Sequence, residues 1–207
     1  MPPTEIEAKL DVPSPRDLDR APGIIAELGY FVGEGERCLV VDHYLDTLDL
    51  DVYRAGWALR LRDRGTRQVL TLKACEAVGA DGLAVREEIE EEIEWAPDRA
   101  WAFDQTALGG RLPGLSLGKP LTELFELRQE RRVYDLSDGE QLWVELSCDR
   151  VQWIRRDGLQ SANTLELELK QGDLEGLRTL LRRLQRRTGW LPATWSKFEV
   201  GVSGSNG

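Results

Sequence analysis

Leu165-Glu166-Leu167-Glu168-Leu169-Lys170 sets leucine against a charged residue at every step, the period of two that belongs to a β-strand with one apolar and one polar face. Five further segments follow the same rule. Ile6, Ala8 and Leu10 alternate with Glu5, Glu7 and Lys9, Leu59 and Leu61 with Arg60 and Arg62, and Leu70 and Leu72 with Thr71 and Lys73. Val85, Ile89 and Ile93 share one parity while Arg86, Glu88, Glu90, Glu92 and Glu94 take the other, and Val144, Leu146 and Cys148 oppose Glu145, Ser147 and Asp149. One such strand fits an open antiparallel sheet with its charged face in water. Here both signs of charge recur on nearly every strand, and helices sufficient to cover only one face are available for the apolar side. A closed barrel would turn the charged faces inward, where neither carboxylates nor lysines and arginines can stay unpaired without a large desolvation cost. An interior of that kind has to hold water, metal and anions. Clustered carboxylates are the oxygen ligands of Mg²⁺ or Mn²⁺, and lysine and arginine are natural donors to phosphate oxygens.

Helices are fewer. Asp173 is placed as the N-cap of a helix from Leu174 through Arg187, with Leu174, Leu177, Leu180, Leu181 and Leu184 on one stripe and Gly189 beyond its end. An earlier helix is expected within Ser14 to Gly29, broken or restarted at Pro22-Gly23. Pro97 to Leu124 reads as one or two short helices joined by an exposed glycine-proline linker, and residues 203–207 as a flexible tail behind a single domain of residues 1–202.

Composition limits the chemistry. The 207 residues carry 27 lysines and arginines against 37 aspartates and glutamates, a net charge of −10, which argues against nucleic acid as the general partner and requires any polyanion to find a local basic site. With one histidine, His43, and three widely spaced cysteines, Cys38, Cys75 and Cys148, a zinc site, a disulfide framework and a histidine-based nucleophilic triad are all disfavoured. Gly109 to Pro120 fails as a phosphate loop, because Gly114 to Gly118 is too short a spacing and Pro120 stands where a Ser or Thr should be. No apolar stretch approaches the roughly 20 residues of a membrane span, and Met1 to Glu5 lacks the basic and apolar regions of a signal peptide, so a cytoplasmic location and no membrane partner are expected.

By itself the acid-x-acid-x-base pattern Glu5-Ile6-Glu7-Ala8-Lys9 should arise by chance roughly once in such a chain. Its company gives it weight. The ordered set of Glu5, Glu7 and Lys9, Asp42-His43-Tyr44-Leu45-Asp46-Thr47, Ala58 to Arg62, Thr71-Leu72-Lys73, Glu166 to Lys170, and Ser196-Lys197-Phe198 before Gly201 resembles the diagnostic motifs of the CYTH domains, also called triphosphate tunnel metalloenzymes, over nearly the whole chain. The resemblance implies an α+β fold: a closed eight-stranded antiparallel β-barrel, the triphosphate tunnel, with helices packed on its outside. It implies that Glu5, Glu7, Asp149, Glu166 and Glu168 hold one or two Mg²⁺ or Mn²⁺ ions, that Lys9, Arg60, Arg62, Lys73, Arg86, Arg131 and Lys197 grip the phosphates, and that Glu88 and Glu90 orient those cations. In Arg128-Gln129-Glu130-Arg131-Arg132, alternation separates Arg131 from Arg128 and Arg132, and spacing to Tyr134 selects Arg131. Asp42, Tyr44, Asp46 and Thr47 form either a polar turn or a support of the tunnel mouth, and His43 is a strand residue with no catalytic part.

The implied reaction is metal-assisted hydrolysis, with Glu166, Glu168 and Lys73 as the catalytic set and no protein nucleophile. The Pro97 to Leu124 insertion resembles the bacterial inorganic triphosphatases of the family more than its short cyclases. Inorganic triphosphate is therefore the first expected substrate, followed by thiamine or nucleoside triphosphates, then class IV adenylate cyclisation. A non-enzymatic polyanion- or protein-binding module with an open charged sheet is the alternative of a different class.

Overall fold

The strand that opens the chain, β1 (Thr4–Asp11), pairs on both of its edges. Thr4 to Ala8 face Glu87 to Leu83 of β6 (Leu83–Ile93), and Glu7 to Asp11 face Glu168 to Thr164 of β9 (Gly158–Gln171). Between those neighbours run β5 (Gln68–Ala74), β4 (Trp57–Asp63), β3 (Glu36–Asp46), β7 (Thr122–Ser137) and β8 (Trp143–Arg155), every adjacent pair antiparallel. The result is a closed eight-stranded barrel, and the open-sheet alternative is excluded. Two short strands, β2 (Phe31–Val32) and β10 (Leu191–Pro192), extend β7 and β1, and among the described residues there are five helices, α1 (Pro15–Glu27), α2 (Asp51–Arg54), α3 (Leu112–Leu115), α4 (Leu174–Thr188) and α5 (Lys197–Ser203). This computed structural model describes residues 4–65, 67–75, 78–94, 101, 103, 106–155 and 158–203. Among them no helix is long and apolar enough to cross a membrane.

The main core lies outside the barrel wall, because the apolar parity of each strand points away from the axis. Ala8, Leu10, Leu146, Leu165 and Leu167 meet Leu18, Ala21 and Ile25 of α1 and Leu177, Leu180, Leu181 and Leu184 of α4. On another side Leu45, Leu59, Leu61, Leu70 and Leu72 meet Phe103, Leu108 and Leu112. Each fully buried leucine contributes roughly 1.5–3 kcal/mol, so these two layers hold the charged barrel closed.

Helix α4 begins at its Asp173 cap, whose carboxylate accepts the Gly176 N–H at 2.7 Å, and ends at Gly189 in the left-handed region (φ 73°). In α1 the hydroxyl of Ser14 accepts the Asp17 N–H, but the expected break at Pro22-Gly23 does not occur. Proline in a helix interior costs about 3 kcal/mol, and burial of Leu18, Ala21 and Ile25 on one stripe offsets it. The linker from Gly109 to Pro120 is also less exposed than expected. Leu112 and Ser116 are buried, and the Glu91 carboxylate accepts the N–H groups of Ala107 and Leu108 at 2.9 Å each, pinning the segment over the leucines of β4 and β5. Helical structure there is limited, among the described residues, to α3, and Leu124 already belongs to β7. Of the expected tail, Ser203 closes α5, while residues 204–207 lie outside the described residues.

A third apolar cluster is inside the barrel. Tyr44, Phe125, Leu127, Val151 and Trp153 share the parity of the charged residues on their strands, and Phe198 of α5 packs among them. The Trp153 indole donates to the Lys197 carbonyl at 2.8 Å, which fixes the start of α5 against this end of the barrel.

Candidate active site

The inward face encloses a cavity of about 760 Å³. Nine basic and eight acidic side chains line it among the described residues, in a chain whose net charge is −10. Lys9, Arg60, Arg62, Lys73, Arg86, Arg131 and Lys197 all line it, as do Glu5, Glu7, Glu166 and Glu168. Strand register sets their neighbours. Glu5 stands across from Arg86, Lys9 from Glu166, Lys73 from Glu88 and Arg131 from Asp149.

Two clusters result. In the first, Lys73 contacts Glu5 directly and lies 3.6 Å from Glu7 and 3.4 Å from Glu88, while Arg60 lies 3.5 Å from Glu88 and 3.8 Å from Glu90. Burial, with Glu7 and Glu88 nearby, pushes the Glu5 carboxyl up to about 8. Burial would raise Glu88 as well, but Lys73 and Arg60 pull it down to about 2. For the Lys73 ammonium, burial is outweighed by Glu7, Glu5 and Glu88, which hold the proton on. In the second cluster, Glu166 takes Arg131 at 2.9 Å, Lys197 at 3.0 Å and Lys9 at 3.4 Å. These cations overcome its burial and keep it ionised.

Asp149 is placed differently from the other carboxylates of its proposed set. It is fully buried, does not line the cavity, and receives Arg131 Nε and Nη2 at 2.7 and 2.6 Å with Lys197 Nζ at 2.9 Å. Asp42 has the same character, accepting Arg62 Nε and Nη2 at 2.7 and 2.9 Å. The segment expected as a polar turn or a support of the tunnel mouth divides between two places. Asp42 and Tyr44 point inward, whereas Asp46 caps α2 by accepting the N–H groups of Thr47, Val52 and Tyr53 at 2.7, 2.9 and 2.9 Å. Arg131 is the inward arginine of its run. Arg128 pairs with Glu126 on the outside, and Arg132 lies 3.9 Å from Asp19.

Arg64, Glu145 and Lys170 also line the cavity, without a role implied for them by the resemblance. Alternation already sets Glu145 and Lys170 on the charged face, and one further step beyond Arg60 and Arg62 reaches Arg64. Lys170 bonds Glu168 at 2.6 Å. Glu145 stands across from Glu168, which stands across from Glu7. Burial, with Glu145 adding to it, raises the Glu168 carboxyl. Such a row of opposed like charges is destabilising on its own. A divalent cation would relieve it, and the donors are all oxygen, the set that Mg²⁺ or Mn²⁺ takes.

His43 lies on the outer wall. Its Nδ1 is 3.2 Å from Glu123, and together with Glu126 these ligand atoms fall within 4.8 Å of one another. Cys148, also outside, has its thiol pushed up by burial to about 12, too high for a nucleophile at neutral pH.

The CYTH domain model matches residues 3–198. The chain belongs to the CYTH family. Among solved structures, the CYTH chain is similar to HpAC1 from Hippeastrum, described as a putative adenylyl cyclase with a dominant triphosphatase activity, at 23% identity and TM-score 0.68 over 97% of this chain and 96% of that one. A putative adenylate cyclase from Bacillus halodurans is 18% identical at TM-score 0.64 over 95% and 96% of the two chains. The PH1819 protein from Pyrococcus horikoshii is 19% identical at TM-score 0.58 over 97% and 99%. These likenesses show a shared fold. No curated protein matches the chain significantly.

Proposed function

We propose that this CYTH domain hydrolyses a triphosphate-containing small molecule with Mg²⁺ or Mn²⁺, inorganic triphosphate first, and releases phosphate. One observation carries the reading: an acidic protein gathers, among the described residues, nine cations around one cavity and anchors several of them on buried carboxylates. Fixed cations facing a single space suit a compact polyanion. Only Tyr44 and Phe198 among the described lining residues are aromatic, and both are buried, Tyr44 stacked on Phe125 at 4.7 Å. Among the described residues the cavity thus offers no free ring face to a base, which favours inorganic triphosphate over nucleoside triphosphates.

In this reading Lys9, Arg60, Arg62, Arg86, Arg131 and Lys197 bind and align the phosphate chain. Lys73 adds a contact to charge that develops on the transferred phosphoryl group. Glu5, Glu7, Glu166 and Glu168 would hold the metal, with Glu145 beside them, while Asp149 serves as anchor for Arg131 and Lys197. When bound, the divalent cation supplies neutralisation of phosphate oxygens and acidifies water for attack. The three thiols, Cys38, Cys75 and Cys148, are free, which fits a reducing compartment, and we place the reaction in the cytoplasm.

The test is a panel of inorganic triphosphate, thiamine triphosphate and ATP with Mg²⁺ or Mn²⁺, scored for phosphate and cyclic AMP. Phosphate released fastest from inorganic triphosphate is expected. Cyclic AMP as the main product would overturn the reading, and no product from any of the three would favour a non-enzymatic polyanion-binding role for the barrel.

A further inference from the structure

Beneath the cavity wall three polar side chains, Asp42, Gln129 and Asp149, are completely buried at 0% exposure and do not line the cavity. Asp42 holds Arg62 through two hydrogen bonds and lies 3.7 Å from Arg60. Asp149 holds Arg131 through two and Lys197 through a third. Gln129 joins the two carboxylate anchors. Its Nε2 donates to Asp42 Oδ2 at 2.7 Å, and its Oε1 accepts from Lys197 Nζ at 2.6 Å. A carboxylate at this point would have no proton for Asp42, and an ammonium would have no lone pair for Lys197. An amide serves both, and the two charged partners allow it one orientation.

We infer that Gln129 is a positioning residue: it ties the Asp42 and Asp149 anchors into one buried strut and so aims Lys197 at the substrate. The inference rests on the triphosphate reading. Gln129 lies on β7, opposite Val40 of β3 and Val151 of β8, so the strut spans three strands and reaches α5 through Lys197. Long cationic side chains otherwise lose rotamer freedom when they grip a ligand. Holding them in place beforehand removes that cost from binding. Without Gln129, Lys197 keeps Asp149 and Glu166 as partners. The charge therefore stays in the tunnel while its direction loosens.

A double-mutant cycle separates this role from simple support of the fold. The variants are Gln129→Met, which removes both hydrogen bonds at nearly constant size, Lys197→Met, and the pair. Dissociation constants for inorganic triphosphate are measured by calorimetry without added divalent metal, so that no turnover occurs, together with KM and kcat in Mn²⁺ and the Mn²⁺ affinity of each protein alone. For Gln129→Met, triphosphate affinity and KM should weaken about tenfold with kcat within about threefold, the pattern of lost binding that is equal in the ground and transition states. Mn²⁺ affinity should be unchanged. In the Lys197→Met background the same substitution should cost less than about twofold, because Gln129 acts through Lys197. Equal losses in both backgrounds, or unchanged affinity in a folded Gln129→Met protein, would overturn the inference. If the Met variant does not fold, Gln129→Asn keeps an amide but withdraws it by one methylene from Lys197, and it enters the same cycle. Wild-type protein that neither binds nor hydrolyses triphosphate would reject the functional reading itself, an outcome distinct from additive losses in a protein that binds.

Discussion

Glu7 of β1 stands directly across from Glu168 of β9, two carboxylates paired on the inner wall where alternation could have set a cation against an anion. A metal that binds the native tunnel and not the unfolded chain will stabilise the fold by mass action, about 2.7 kcal/mol at a hundredfold excess over its dissociation constant. For a domain of this size that is roughly 5–10 °C in melting temperature. Mn²⁺ should therefore raise the melting temperature, and excess chelator should restore it. Glu168→Gln should shrink the shift and remove most of the activity. A Glu168→Gln protein with the full shift would place the metal elsewhere.

Asp149 makes the contrasting case. Its carboxylate is fully buried between Arg131 and Lys197, and removing one partner of a buried pair costs about 3–5 kcal/mol. Asp149→Ala should lose that much in urea unfolding, whereas Glu168→Gln at the cavity surface should lose less than about 1 kcal/mol. Equal costs would mean that the two carboxylates do not differ in depth as described.

How far such differences can be read from the sequence follows from what alternation encodes. Parity fixes the face of a strand, so the inward set from Glu5 to Glu168 and the outward leucines were legible in the sequence, whereas Lys197, on α5, was reached only through the family resemblance. Depth is another matter. Whether a carboxylate lines the cavity or lies beneath it depends on register between strands, as when Asp149 meets Arg131 on one side and Thr164 on the other. Alternation also fails at one end of the barrel, where Phe125, Leu127, Val151 and Trp153 carry the inward parity with apolar side chains. Their partner is α5, distant in sequence, and no local pattern announces it. Gln129 escaped for a related reason: as a neutral residue in a run of charges, it gains its meaning only from Asp42 and Lys197.

The Glu5 carboxyl gives the metal-free protein a pH dependence of unusual sign for an acid. Folded protein keeps this proton up to about 8, against an ordinary value of 4.5. Between those values the native state binds more protons than the unfolded chain, so stability falls as pH rises through the window. Glu88, pulled to about 2, works the other way, and its contribution is present above 4.5 and lost as pH falls toward 2. Urea unfolding of chelator-treated protein at pH 5 to 8 should show the decline, and Glu5→Gln should flatten it. A decline of equal slope in Glu5→Gln would assign the proton to another group.

Gly201 tests whether α5 positions the phosphate grip. A Cβ added there would overlap the Phe125 ring, which is stacked on Tyr44 and packed against Phe198. The ring has no room to turn aside, so Gly201→Ala must push α5 away from the barrel, at a cost of about 1–3 kcal/mol for an overpacked core. Lys197 begins the same helix, and its carbonyl is held by Trp153. Displacing the helix therefore moves an ammonium that reaches Gln129, Asp149 and Glu166. Gly201→Ala should lower the urea midpoint and weaken inorganic triphosphate binding by about tenfold, or 1.4 kcal/mol, while Mn²⁺ affinity stays within about twofold because the proposed metal carboxylates lie on β1 and β9. Lower stability with unchanged triphosphate affinity would show that α5 closes the barrel without aiming Lys197.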